Sequence, residues 1–207
     1  MDNDPNAKPL VILVMGGPAS GKGTYCKKLS SEFGLTHLSV GDILRSERLK
    51  DTEEGRELNT FMLEFEQTGK LMSCDTVAFF LFKEMRAKGW NKNVFLIDGF
   101  IKAVAGFHYW MDQINDQLEL KFVLYLECGA ECMLKRMNVR SETSGRLDDN
   151  ESIFHTRIKT FYKRTLPAIE LLAALGIVVK VNTEEEMEKV YSKIREAFFK
   201  FFPEFQY

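Results

Sequence analysis

Short apolar runs and longer apolar stripes alternate along this chain. Leu10–Met15 is an unbroken run of six apolar residues. It is too short for an ordinary helix and rich in β-branched Val and Ile, which predicts a buried strand. Similar runs at 35–39, 94–97, 122–126 and 177–181 predict four more strands. Between them the period changes. A helix is expected from about Gly21 to Phe33, and another opens at Gly41-Asp42. Leu58, Phe61, Met62 and Phe65 recur at i, i+3, i+4 and i+7, so 53–68 reads as amphipathic helix. Ser73 or Asp75 caps the next helix, which buries Val77, Leu81 and Met85 and stops at Gly89. Further helices are expected over 104–113, over 130–140, and from an Asn150 cap to about Leu175. The last starts near Thr183 and carries Val190, Ile194, Ala197, Phe198 and Phe201 on one stripe.

Strands alternating with helices imply an α/β three-layer sandwich, a five-stranded parallel sheet with helices on both faces. The chain reads as one domain over 1–207. Two stretches, about 41–73 and 138–150, depart from the alternation and are expected as insertions over a site. Ligands of such sheets bind at the carboxyl ends of the strands. Gly16–Thr24, Ser39–Asp42 and Asp98-Gly99 all fall at such ends and should converge.

The first of these ends carries chemistry. GGPASGKGT follows the first strand and opens a helix. Strand, glycine-rich turn, helix is the context of a phosphate loop. The glycines let amide N–H groups approach a ligand, and the helix start favours an anion. Lys22 adds a full charge suited to the β/γ oxygens of a nucleoside triphosphate. Gly23 stands between Lys22 and Thr24, where the strict pattern has the hydroxyl directly after the lysine. Asp98, ending VFLID beside that loop, is placed to hold Mg²⁺ directly or through water. Arg136 and Arg140 share a helix face. With Arg146 and Arg157 they make four guanidinium groups around one polar loop, which suits the dispersed charge of a phosphoryl-transfer transition state.

Bulk composition narrows the partners. The formal net charge of −2 gives no electrostatic case for nucleic acid or an anionic membrane. No run approaches a bilayer span, and the start of the chain has no signal-peptide pattern. Cys26, Cys74, Cys128 and Cys132 form no C-x-x-C pair and are expected as free thiols in a reducing compartment. His37, His108 and His155 make no cluster, and no serine or cysteine nucleophile stands out. The phenylalanine-rich end, FFKFFPEFQY, is expected to pack on its own domain, with a partner contact as the alternative.

With these residues in view, the chain resembles the nucleoside monophosphate kinases of the adenylate kinase and UMP-CMP kinase family, in their short-lid form. GGPASGKGT, LTHLSVGDILR, GKL at 69–71, FLIDGF at 95–100, and TSGRLDDN at 143–150 with Arg157 beyond it carry the likeness. The resemblance implies reversible phosphoryl transfer from ATP to a nucleoside monophosphate, with Mg²⁺ and without zinc. It implies a monomeric, cytoplasmic enzyme of small-molecule nucleotides. Gly17, Ala19, Ser20, Gly21, Lys22, Gly23, Thr24, Arg136, Arg140 and Glu185 would lie on the ATP side. Val40, Arg45, Lys70, Leu71, Met72, Gly99, Lys102 and Gly106 would lie on the monophosphate side. Arg146 and Arg157 would bridge the transferring group, with Lys22 and Arg140 completing the catalytic set.

Four positions depart from the family pattern. Where it has Pro-Arg after the third strand, this chain has Ile101-Lys102, which keeps the charge but loses the bidentate fork. The amide that reads the acceptor base falls at Gly106. Ala19 replaces a loop glycine, at a cost of about 1–2 kcal/mol if φ is positive there. An alternative expectation is therefore a catalytically impaired nucleotide-binding homologue.

Overall fold

The computed structural model describes residues 7–68, 71–141 and 151–206. Five strands, β1 (Leu10–Gly16), β2 (Thr36–Ser39), β3 (Val94–Asp98), β4 (Glu119–Glu127) and β5 (Val178–Asn182), form one sheet in the order β2-β3-β1-β4-β5. Every pairing is parallel. Central β1 explains its own sequence. Val11, Leu13 and Met15 face one hydrophobic cluster while Ile12 and Val14 face the other. A strand buried on both faces has no place for alternation with polar residues.

One layer holds α1 (Lys22–Phe33) and α9 (Met187–Phe201), whose buried residues join Ile12 and Val14. The other face is covered by α2 (Val40–Glu47), α3 (Glu53–Thr68), α4 (Cys74–Ala87), α5 (Val104–Tyr109), α6 (Ala130–Ser141), α7 (Glu151–Thr160) and α8 (Leu166–Ala174). Ser39 caps α2 by accepting from the Asp42 amide, and Ser73 caps α4 by accepting from the Thr76 amide. Among the described residues, no helix is long and apolar enough to cross a membrane.

Several expectations need correction. The helix expected from 150 to about 175 is present as one continuous helical run from Glu151 to Ala174, but it is not regular throughout. Over Phe161–Thr165 the backbone makes a wide turn, with the Leu166 amide bonded to the Phe161 carbonyl five residues back. Pro167, in the first turn of α8, is the cause. It has no N–H, and its ring clashes with the carbonyl four residues before it. The expected helix at 104–113 likewise ends in such a turn over Trp110–Ile114. The last helix begins at Met187, four residues later than expected, because Thr183 and Glu184 are held by the sheet end. On α3, Leu58 is buried but Phe61 is 44% exposed, so the apolar stripe is narrower than its spacing suggests. The aromatic end packs on its own domain. Phe33 stacks on Phe198 at 4.6 Å, Phe198 on Phe202 at 4.8 Å, and Phe122 on Phe201 at 4.5 Å.

Candidate active site

Val14 lies opposite Asp98 in the sheet, and Ser39 lies opposite Asp98 on the other side. The three strand ends expected to converge therefore do, and the loop after β1 stands over them. Its backbone is tightly wound. Gly16 has φ 152° and Gly21 has φ 95°. A side chain on Gly16 would come within 2.6 Å of the Leu126 carbonyl, and one on Gly17 within 2.4 Å of the Met133 sulfur. Ala19 does adopt a positive φ, 57°, so the left-handed strain anticipated there is present.

α1 starts differently from α2 and α4, which have side-chain caps and an acidic residue in the first turn. Gly21 precedes it with no side-chain cap, and no acidic residue sits in its first turn. The first N–H groups of a helix have no partner within it, so this end offers donors and positive dipole to an anion. The Ser20 hydroxyl is fully buried within the loop and makes no hydrogen bond among the described atoms. Lys22 Nζ donates to the carbonyl oxygens of Gly16 at 3.0 Å and Gly17 at 2.8 Å. Gly23 has open space around its α-carbon, and both Gly23 and Thr24 are exposed.

The charges gather around Lys22. Burial holds its pKa below the ordinary lysine value; Asp98 opposes that shift, while Arg157 and Arg140 add to it. Lys102, half-buried beyond β3, is pushed down to about 8 by burial first and then by Arg157, with Asp98 opposing and Lys22 and Arg45 contributing. Lys22, Lys102, Arg45, Arg140 and Arg157 thus share one field, with Asp98 as the buried carboxylate among them. Cys26, buried beneath, has its thiol pKa raised well above normal by burial and by Asp98. That fits an inert core residue.

The remaining expected positions fall as follows. Arg45 pairs with Asp42 and folds back over Gly41. Val40 is buried at the start of α2, while Leu71 and Met72 are half-buried ahead of α4, Met72 packing on the core. Gly99 has φ 83°. Gly106 is buried, and a β-carbon there would meet Ile101 at an ordinary 3.5 Å. Glu185 is exposed and pairs with Lys193 of α9 at 2.5 Å. Lys70 and Arg146 lie outside the described residues.

Two residues not singled out from the sequence also matter. Thr183, fully buried after β5, accepts from Arg136 through both its carbonyl and, at 3.3 Å, its hydroxyl. Its own hydroxyl donates to the Glu127 carbonyl at 2.9 Å, which fixes Arg136 to the ends of β4 and β5. Thr165 Oγ1 donates to the Lys102 carbonyl at 2.8 Å. Spacing gives no signal for Thr183. For Thr165 the signal is Pro167, which marks a place where a regular helix cannot continue.

The donor set suits a hard divalent cation carried by phosphate. Among the described residues no group of three or more His, Cys, Asp or Glu side chains could cage an ion. Mg²⁺ characteristically uses one or two carboxylates together with phosphate oxygens and water, and Asp98 is a buried carboxylate at this strand end that could serve in that way.

Comparison with known proteins gives the same picture. The family model described as adenylate kinase matches residues 14–177. The chain is 40% identical to adenylate kinase isoenzyme 1 of Homo sapiens over 187 residues, covering 90% of this chain and 93% of that protein. It is 40% identical to the Gallus gallus protein of the same name over 184 residues, 89% of this chain and 91% of that one. It is 35% identical to UMP-CMP kinase of Xenopus laevis over 195 residues, 92% of this chain and 99% of that protein. The uncapped helix start, the lysine clasped in its glycine loop and the ring of cations around Asp98 therefore belong to a chain that is a member of the adenylate kinase family.

Proposed function

We infer that this chain transfers the γ-phosphoryl group of ATP to a nucleoside monophosphate, reversibly. Family membership makes it a nucleoside monophosphate kinase. The observation that carries the residue assignment is that Lys22 and Lys102 both lie in the fields of Asp98 and Arg157. A phosphoryl group passing between two nucleotides needs that arrangement, since its transition state spreads charge over three oxygens and leaves little covalent work for the protein.

In this reading the amides of Gly21–Thr24 and the Lys22 ammonium hold the β- and γ-phosphates. Arg140 and Arg157 neutralise the charge that develops between donor and acceptor. Lys102 and Arg45 hold the acceptor phosphate. Arg136, fixed by Thr183, borders the ATP side. Arg146 is assigned to the bridging set and Lys70 to the acceptor side by resemblance alone. Mg²⁺, when bound on the phosphates, would lower the charge the nucleophile must approach, with Asp98 holding it through water. Lys102 stands among the same charges as Lys22, which supports a working acceptor site over a lapsed one.

A coupled ADP-release assay with ATP and AMP, UMP, CMP, dCMP or GMP tests the proposal. Turnover with at least one acceptor is expected. ATP binding with no turnover on any of the five would replace it with a non-catalytic nucleotide-binding role.

A further inference from the structure

The wide turn at Phe161–Thr165 stands beside the site, between the helix that carries Arg157 and the core helix α8. In an unbroken α-helix, positions eight apart such as 157 and 165 stand about 80° apart around the axis. A turn closed by a bond five residues back winds less per residue and reduces that offset. Both residues do address one neighbour. Arg157 is the foremost charge acting on the Lys102 ammonium. The Thr165 hydroxyl donates to the Lys102 carbonyl at 2.8 Å, a partly buried bond across 63 positions of sequence.

That bond matters more for a lysine than it would for an arginine. A guanidinium fork fixes its own geometry on a phosphate, whereas an ammonium on a four-carbon stem is a point charge. Its placement depends on where the backbone puts the start of the stem. Lys102 lies in the short segment between β3 and α5, and Thr165 ties that segment to the α7–α8 helix pair.

We propose that Thr165 is a positioning residue for the acceptor site. Its hydroxyl, aimed by the wide turn, sets the Lys102 backbone against the helix bearing Arg157, so that ammonium and guanidinium converge on one phosphate. This rests on the acceptor role given to Lys102 above and adds the residue that sets it.

Steady-state kinetics on the full chain with ATP and its best monophosphate acceptor test the inference, using Thr165→Val, Thr165→Ala and Thr165→Ser. Loss of the hydroxyl should raise the acceptor KM about three- to tenfold, leave the ATP KM within about twofold, and be rescued by Ser. On a Lys102→Ala background, Thr165→Val should add nothing, because its effect passes through Lys102. Two variants lacking the hydroxyl guard against one failing to fold. A lowered melting temperature with both KM values unchanged, or an additive effect on Lys102→Ala, overturns the inference alone. A wild-type chain that turns over no monophosphate removes the kinase mechanism and this inference together.

Discussion

The Lys22 ammonium donates to the carbonyl oxygen of Gly17 at 2.8 Å. With its second bond to Gly16, the residue assigned to the phosphates is also the clasp of its own loop. The lysine therefore has a fixed resting position within reach of the helix start, and little side-chain entropy is left to lose when an anion engages it.

Lys22→Met should lower kcat by about 10³-fold, on the scale of losing a charged donor from a pre-organised site. Circular dichroism should show the fold retained. A near-normal rate in the coupled assay would refute the role of Lys22.

Lys102 gives a pH dependence with two opposite signs. Burial holds its folded pKa at about 8, below the 10.5 of an ordinary lysine. Between those values the unfolded chain binds more protons, so stability rises with pH there as the buried charge is relieved. Acceptor binding needs the charged form, so the acceptor KM should climb as pH passes about 8. Lys102→Arg, charged throughout and able to fork, should lower that KM and flatten the profile. A wild-type KM unchanged up to about pH 9.5 would mean that the acceptor phosphate is held elsewhere.

Ala19→Gly should stabilise the chain. Relief of the left-handed backbone at φ 57° is worth about 1–2 kcal/mol, against about 0.4–1 kcal/mol for the added freedom of the unfolded glycine. A net gain of about 0.5–1 kcal/mol is expected from urea unfolding. A lower midpoint at equal m-value would show that the loop stores no strain at this position.

Thr183→Val keeps the shape of the buried side chain and its carbonyl bond to Arg136 but removes the hydroxyl that also accepts from Arg136 and ties the residue to Glu127. The ATP KM should rise about three- to tenfold with the acceptor KM unchanged. Equal rises in both would assign Thr183 to the fold of the sheet end rather than to the donor side.

Much of this architecture was legible because central parallel strands must be apolar on both faces. Leu10–Met15 and the strands beside it stand where their runs predict. The glycine loop after β1 was legible because its glycines have backbone tasks that other residues perform badly. What escaped was set by tertiary contact. The delayed start of α9 follows from the Thr183 and Glu184 bonds, and the exposure of Phe61 from what α3 packs against. Pro167 was visible as a residue, but apolar periodicity gave no sign of the wide turn it imposes on the helix before it. The bond from Thr165 to Lys102 joins distant segments, and no local pattern encodes it.

The aromatic end anchors the far tip of the helix that begins at Lys22. α1 is a rod of twelve residues, about 18 Å long, with Lys22 at one tip and Phe33 at the other. Phe33 is gripped by Phe198, Phe199 and Phe205. A tug on the Lys22 end of that rod is met by a vice of rings at its opposite tip, so the loop cannot recoil without prising Phe33 away from Phe198, which is fully buried.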